Sequence, residues 1–434
     1  MTQSDTKEKI NRAILVGLDA FSLPQDEKAT EESMEELSAL LETAGGEVLG
    51  SVLQTRADPD PRTFIGEGKV AEVKELAGAL DADMVVFDNA LSPSQQRVLA
   101  EELGVSVLDR SALILDIFAQ RARTKEGRLQ VELAQYKYLL PRLTGMWGHL
   151  VRQTASGGKN PIGTRGPGET QLETDRRHIR RKISKLEQEL EQVRRVRATQ
   201  RERRIKNEIP VVAIVGYTNA GKSTLLNRLT GSEIPANNRL FDTLDTTTRT
   251  LVISETCTVL LSDTVGFIRK LPHHLVEAFK ATLEELSFAD LLIHVIDASN
   301  TEWREQAAVV DKLITELGAE RTPRLEVFNK CDCWSGEIRP HGENIVSISA
   351  KTGEGLDSLI AAIGRILDKG SERVTIHLPY QRGGELEALY RDAKVEAVEY
   401  GDTIDVTAVC PPRIIGRLGP LVEGWTPKHE LWDD

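Results

Sequence analysis

The sequence predicts an α/β chain with parallel sheets, and three observations predict it. An apolar run, Val211 to Val215, ends in glycine and a short loop, and Lys222-Ser223 then opens a helical stretch from Thr224 to Leu229. Short apolar runs alternate with helical periodicity on both sides of that unit, the pattern from which parallel sheets are built. A long, strongly basic helical segment separates the two halves. At 434 residues the chain has the length of about three domains.

Composition narrows the function classes. Lys and Arg number 55 against 67 Asp and Glu, a net charge of −12, which argues against a wholesale nucleic-acid coat but leaves room for local basic patches. Cys257, Cys331, Cys333 and Cys410 form no CxxC pair and no disulfide ladder. Cys331-Asp-Cys333, with no His or Cys partner nearby, is a poor zinc site. The N-terminus lacks the apolar core of a signal peptide, and no apolar run approaches about 18 residues, so no membrane span is expected. The expected setting is soluble, reducing and cytoplasmic.

In order, residues 12–18 read as a buried strand, Asp26 to Thr43 as a helix with Leu37, Leu40 and Leu41 on one face, and Glu47 to Gln54 as a second strand. Asp83 to Phe87 and Val105 to Leu108 read as strands flanking a helix from Pro93 to Leu103. Gly66-Glu-Gly-Lys69 lacks the spacing of a phosphate loop and is read as a tight turn capping the next helix. Helices are expected at Ala112 to Arg121 and Gly127 to Leu140, the second ending before Pro141.

Residues 149–170 change character, becoming Gly-rich and basic, with Arg152, Lys159 and Arg165. Such a stretch cannot pack a core. It reads equally as an interdomain linker or as a basic finger that meets RNA. A long helix is expected from about Leu172 to Lys206. Ile179, Ile183, Leu186, Leu190 and Val193 step by four and three, a short heptad seam for a hairpin with the preceding helix. Its outer face carries Arg176, Arg177, Arg180, Arg181, Lys182, Lys185, Arg194, Arg195, Arg197, Arg201, Arg203 and Arg204. A charge run is usually a solvated face, but one of nearly single sign in an acidic protein points to phosphate contacts.

Gly216-Tyr217-Thr218-Asn219-Ala220-Gly221-Lys222-Ser223 has the phosphate-loop spacing GxxxxGK[ST]. The glycines let successive backbone N–H groups face phosphate oxygens, and the helix N-terminus adds partial positive charge. Lys222 would reach the β- and γ-phosphates and Ser223 would bind Mg²⁺. Asp263-Thr264-Val265-Gly266 follows at the end of an apolar strand. Asp263 can hold Mg²⁺ through water, and the Gly266 N–H can meet the γ-phosphate. Asn329-Lys330-Cys331-Asp332 supplies a carboxylate for N1–H and the N2 amino group of guanine. Adenine lacks both donors there, so discrimination of about 10⁴ is within reach. Ser349-Ala350-Lys351 can set a backbone N–H against guanine O6. Between the first two signals, Phe241-Asp242-Thr243-Leu244-Asp245-Thr246-Thr247-Thr248 offers a threonine for Mg²⁺ in a switch loop. Five such signals in order, each at a strand end, point to a Mg²⁺-dependent GTPase that turns GTP into GDP and phosphate. Phe267 stands where small GTPases usually place a Gln that orients water. Hydrolysis is therefore expected to need another element, and Asn219 points to K⁺ near the β/γ bridge.

With these motifs the chain resembles the HflX family of ribosome-associated GTPases. The run Gly163-Thr-Arg-Gly-Pro-Gly-Glu-Thr-Gln-Leu-Glu-Thr-Asp-Arg-Arg177 is similar to that family's own signature. The resemblance covers nearly the whole chain and is least distinctive at the C-terminal end. It implies that Thr243 is the switch ligand of Mg²⁺, with Thr247 and Thr248 as alternatives. Asp242 and Thr246 depart from the Ala and Pro usual in the family at those positions. It also implies binding to the large ribosomal subunit and splitting of stalled or idle ribosomes, with the N-terminal domain and helical linker on ribosomal RNA. ATP use by the N-terminal domain, known in some relatives, finds no second phosphate loop here.

The expected architecture is α/β: a P-loop GTPase domain at 209–368, an N-terminal α/β domain at 1–145, a Gly-rich basic loop and helical linker at 146–208, and a small C-terminal α/β domain at 371–434. The catalytic set is Lys222, Asn219 and Gly266. A monomer is expected, since the short seam can close within one chain. A GTP-regulated scaffold and an ATP-driven RNA remodeller are the alternative functions.

Overall fold

The computed structural model of the protein describes residues 11–154, 167–206, 209–232, 240–241, 247–254, 257–272, 275–277, 279, 284–334, 336, 339–367, 372–410 and 412–425. The chain divides into two compact units. The first takes residues 1–198, 237–245 and 265–283; the second takes 199–236, 246–264 and 284–434.

The first unit is built on a four-stranded, all-parallel sheet of order β2-β1-β3-β4, with β1 at Arg12–Ala20, β2 at Glu47–Arg56, β3 at Met84–Phe87 and β4 at Ser106–Asp109. Parallel neighbours need crossovers, and α1 (Glu31–Thr43), α2 (Glu67–Leu80) and α3 (Pro93–Leu103) supply them. Ala13 to Val16 are buried without interruption, as a strand covered on both faces requires. The first helix starts later than its periodicity suggests. Thr30 caps it reciprocally, its hydroxyl accepting from the Ser33 amide while the Ser33 hydroxyl accepts from the Thr30 amide. Gly66 is the cap of α2, so Gly66-Glu-Gly-Lys69 is a helix start.

Helix α4 spans Arg110–Arg121, α5 spans Lys125–Thr154 and α6 spans Pro167–Lys206. The expected break before Pro141 does not occur; α5 runs through it. Side chains on either side of the proline clamp the helix in place. The Tyr138 hydroxyl donates to Asp109 Oδ1 (2.8 Å), and Arg142 Nη2 donates to Asp109 Oδ2 (3.2 Å) and to the Leu91 carbonyl (2.9 Å). These contacts outweigh the single backbone bond that proline forfeits. The Gly-rich stretch read as 149–170 is shortened from both sides, since 149–154 and 167–170 are helical. Its centre, including Lys159 and Arg165, lies outside the described residues, as does the side chain of Arg152. The hairpin seam forms as expected from Ile183, Leu186 and Leu190 of α6 against Leu129, Leu133 and Tyr136 of α5.

The second unit holds a six-stranded sheet of order β10-β9-β8-β5-β7-β6. Its strands are β5 (Val211–Gly216), β6 (Thr247–Ser254), β7 (Cys257–Asp263), β8 (Leu291–Asp297), β9 (Arg324–Asn329) and β10 (Ile345–Ser347). Five run parallel and β6 is antiparallel to β7 at the edge. Strand β6 was not expected. Leu251 is its one buried position, the rest being half-buried or exposed, and its threonine-rich start resembles loop chemistry. Helices α7 (Lys222–Thr230), α8 (Trp303–Glu316) and α9 (Leu356–Leu367) accompany this sheet, and its core includes Val212, Ile214, Leu225, Leu261, Ile293 and Val327. A three-stranded antiparallel sheet follows, order β11-β13-β12, from β11 (Glu372–Leu378), β12 (Lys394–Tyr400) and β13 (Ile404–Cys410). Helices α10 (Gly384–Asp392) and α11 (Pro412–Leu418) complete it. Both faces of strand β12 are largely exposed.

Candidate functional site

In the second unit β5 lies between β7 and β8 and ends at Gly216. A Cβ on Gly216 would collide with the Val295 carbonyl oxygen, and one on Gly221 with the Asn329 side-chain nitrogen. The loop therefore requires glycine at both positions. Asn219 sits between them in the left-handed region, φ 61°, and is exposed. Lys222 is buried in the first turn of α7, and its ammonium donates to the carbonyls of Gly216 (3.1 Å) and Tyr217 (2.8 Å). Burial lowers its pKa to about 8, while Asp263 works in the opposite direction. A phosphate beside it would favour the charged form again.

Asp263, fully buried at the end of β7, accepts from the Ser223 hydroxyl at 2.8 Å. A hydroxyl and a carboxylate so paired form an all-oxygen donor set, which suits Mg²⁺, and both are residues the sequence assigns to it. Thr264 anchors the end of β7 to β5, its hydroxyl donating to the Ile214 carbonyl (2.7 Å). Thr248 lies in β6 opposite Ser262 and donates to its hydroxyl (3.5 Å), while Thr247 lies opposite Asp263. Thr243, with Asp242, Leu244 and Asp245, lies outside the described residues.

On the base side, Asn329 is buried and acts as a bracket. Its Nδ2 donates to the Ala220 carbonyl (2.8 Å), and its Oδ1 accepts from the Ala350 amide (2.9 Å). It thus ties the phosphate loop to Ser349-Ala350-Lys351, a role the sequence does not disclose. The Ala350 amide, a candidate donor to guanine O6, is engaged by this bracket. Lys330 takes the left-handed conformation, φ 63°, and pairs with Asp297 (2.7 Å). The Cys331 amide donates to the Ile348 carbonyl (3.0 Å), and burial pushes its thiol pKa up. Asp332 stays exposed and accepts from the buried Ser349 hydroxyl (2.7 Å), which holds its carboxyl below the usual range. An ionised, pre-aimed acceptor is the group that guanine needs. Among the described residues no cluster of three or more His, Cys, Asp or Glu could hold a metal.

The first unit holds the residues that follow directly from Thr264. Val265, Gly266, Phe267 and Ile268 are all buried. Phe267 is 1 % exposed, turned into the fold and unable to orient water. Phe241 adopts φ 57° and meets Phe118 edge-on (centroids 4.6 Å apart), and Phe118 meets Phe279 in the same way (5.5 Å).

Three family models tile the chain: GTP-binding GTPase N-terminal over residues 31–119, GTP-binding GTPase Middle Region over 121–204, and 50S ribosome-binding GTPase over 211–330. The GTPase HflX of Caldanaerobacter subterraneus is 52% identical over 409 residues, covering 94% of this chain and 92% of the relative. The GTPase HflX of Escherichia coli is 45% identical over 372 residues, covering 84% and 86%. Among solved structures, a GTP-binding protein of Sulfolobus solfataricus in complex with GDP is 26% identical, covering 82% of this chain and 98% of that one, at a TM-score of 0.42.

Proposed function

This chain belongs to the HflX family of GTPases and is a GTP hydrolase; from that premise we propose that its GTP-bound form docks on the large ribosomal subunit, splits stalled or idle ribosomes, and leaves when GTP becomes GDP and phosphate. The observation that carries the docking half is the basic face of α6, where Arg177, Arg180, Arg181, Lys185, Arg194 and Arg195 are exposed in a protein of net charge −12. Intrahelical pairs such as Lys185–Glu189 (3.8 Å) and Arg195–Glu191 (3.6 Å) offset a part of that charge. The model matched at 211–330 describes 50S ribosome-binding GTPases, which supports the same partner. Arg152, Lys159 and Arg165 of the Gly-rich stretch add positive charge that would attract RNA, and such a contribution is electrostatic and salt-sensitive. The functional division into 1–145, 146–208, 209–368 and 371–434 belongs to this proposal, as do a monomeric state and a cytoplasmic location.

In this reading Gly216 to Ser223 enclose the phosphates, Lys222 contacts the β- and γ-oxygens, and Asp332 reads guanine. Ser223, Asp263 and Thr243 would hold Mg²⁺, whose charge would offset that of the β- and γ-phosphates. The Gly266 N–H meets the γ-phosphate. Because Phe267 cannot position water, hydrolysis by the isolated chain is slow, and Asn219 would help to hold a K⁺ that would supply part of the missing positive charge. GTP turnover measured in K⁺ and Na⁺, with and without large subunits, tests the reading. Large subunits and K⁺ should each accelerate it, and Asn219→Ala should erase the K⁺ advantage. A rate indifferent to both subunits and ion would sink it.

A further inference from the structure

In the sheet order β2-β1-β3-β4 of the first unit the chain reverses direction of growth between β1 and β3. Open α/β sheets hold ligands at that point, beyond the carboxyl ends of the strands. Here a buried ionic cluster occupies it. Asp88 follows β3 and is 0 % exposed; Arg110 opens α4 and is 1 % exposed. They pair at 2.8 Å, Arg110 also pairs with Glu36 of α1, and the Ser33 hydroxyl donates to Asp88 Oδ2 (2.8 Å). The fourth charge comes from far along the chain. Lys270, close behind Gly266, buries its ammonium against Asp88. Among these four side chains, Arg110 and Lys270 carry the positive charges that face Asp88 and Glu36. Lys270 holds the left-handed conformation, φ 56°, which a lysine adopts only when its surroundings enforce it. Between Gly266 and Lys270, Phe267 and Ile268 are each 1 % exposed. The segment behind the glycine is thus anchored at three side chains.

We propose that Lys270 is a positioning residue for GTP: locked into the Asp88–Arg110–Glu36 cluster, it pre-orders the segment from Gly266 to Lys270 so that the Gly266 N–H meets a γ-phosphate at low entropic cost. The proposal rests on the reading of Gly266 as the group that meets this phosphate. GDP has no γ-phosphate and draws nothing from the order of the segment. Preorganisation of this kind therefore raises affinity for the triphosphate selectively.

The test uses the full chain and binding of GDP and of a non-hydrolysable GTP analogue. Lys270→Met should weaken the analogue about fivefold or more, within the usual range of coupling between sites, and leave GDP affinity unchanged. Lys270→Arg should restore most of the difference, because a guanidinium preserves the cluster's charge. Asp88→Asn should reproduce the selective loss, and the double variant should lose no more than either single one. If Asp88→Asn does not fold, Lys270→Met and its arginine rescue decide alone. Unchanged analogue affinity in Lys270→Met, or an equal loss for GDP, would overturn the proposal. Gly266→Ala separates the two readings. If it weakens the analogue while Lys270→Met does not, the latch is wrong and the glycine's role stands. If only Lys270→Met acts, the glycine's assignment fails and the latch, which works through that glycine, falls with it.

Discussion

Asp332 is an exposed carboxylate whose Oδ2 accepts from the Cys333 thiol at 3.5 Å and whose Oδ1 has a shorter partner, the Ser349 hydroxyl at 2.7 Å. That partner holds it ionised and aimed. Asp332→Asn exchanges an acceptor for a side chain with a donor, so GTP binding should weaken about 10²-fold or more and binding of the xanthine nucleotide should strengthen. Competition between the two nucleotides measures it, and an unchanged preference for guanine would remove Asp332 from base recognition. Asn329 acts on both loops at once through Ala220 and Ala350. Asn329→Ala leaves a buried carbonyl and a buried amide without that partner, a cost of about 1–3 kcal/mol each. GDP and GTP affinities should fall together, by about tenfold or more, in a titration of either nucleotide. The motif residues were legible in the sequence because phosphate-loop chemistry is local: glycine spacing, a lysine and a helix start fall within one short run. The bracket was not, since Asn329 and Ala220 lie 109 residues apart. The Lys270–Asp88 pair spans 182 residues, and nothing in the pattern around either residue announces the other.

Elements carry two further expectations. The α5–α6 hairpin closes on a small cluster, in which Leu129, Leu133, Leu186 and Leu190 are each at most 8 % exposed. Leu190→Ala should cost about 2–3 kcal/mol of local stability. Hydrogen exchange along both helices should report it, while nucleotide affinity stays as it was. The heptad spacing made this hairpin readable in advance, whereas the antiparallel edge strand β6 and the helix running through Pro141 were not. In the first case a threonine-rich strand imitates a loop; in the second, tertiary contacts from Tyr138 and Arg142 override a local rule. In β8, His294 is 2 % exposed, and burial holds its pKa down at about 4 despite Asp311 at 3.7 Å. The folded chain thus favours neutral imidazole while the unfolded chain takes up a proton near pH 6.5. Stability from this residue is complete above pH 6.5 and declines as pH falls toward 4. Urea midpoints between pH 7.5 and 4.5 should show that decline, and His294→Leu should flatten it. A slope identical in the variant would show that other groups carry the acid sensitivity.

At the scale of the whole molecule, charge and chemistry are divided along the chain. The phosphate loop and Asp332 lie in the second unit and most of the basic helix in the first, within a chain of net negative charge. In the proposed function nucleotide state joins them: GTP would make the protein able to hold ribosomal RNA, and GDP would end that ability. Neutralising Arg152, Lys159 and Arg165 together should weaken ribosome binding and flatten its salt dependence without altering GTP affinity. The most direct measurement is co-sedimentation with large ribosomal subunits at physiological salt, with the chain loaded either with a non-hydrolysable GTP analogue or with GDP. The account predicts that the analogue-bound chain pellets with the subunits and that the GDP-bound chain stays in the supernatant. Equal partition of the two loaded forms, or no binding by either, would contradict it.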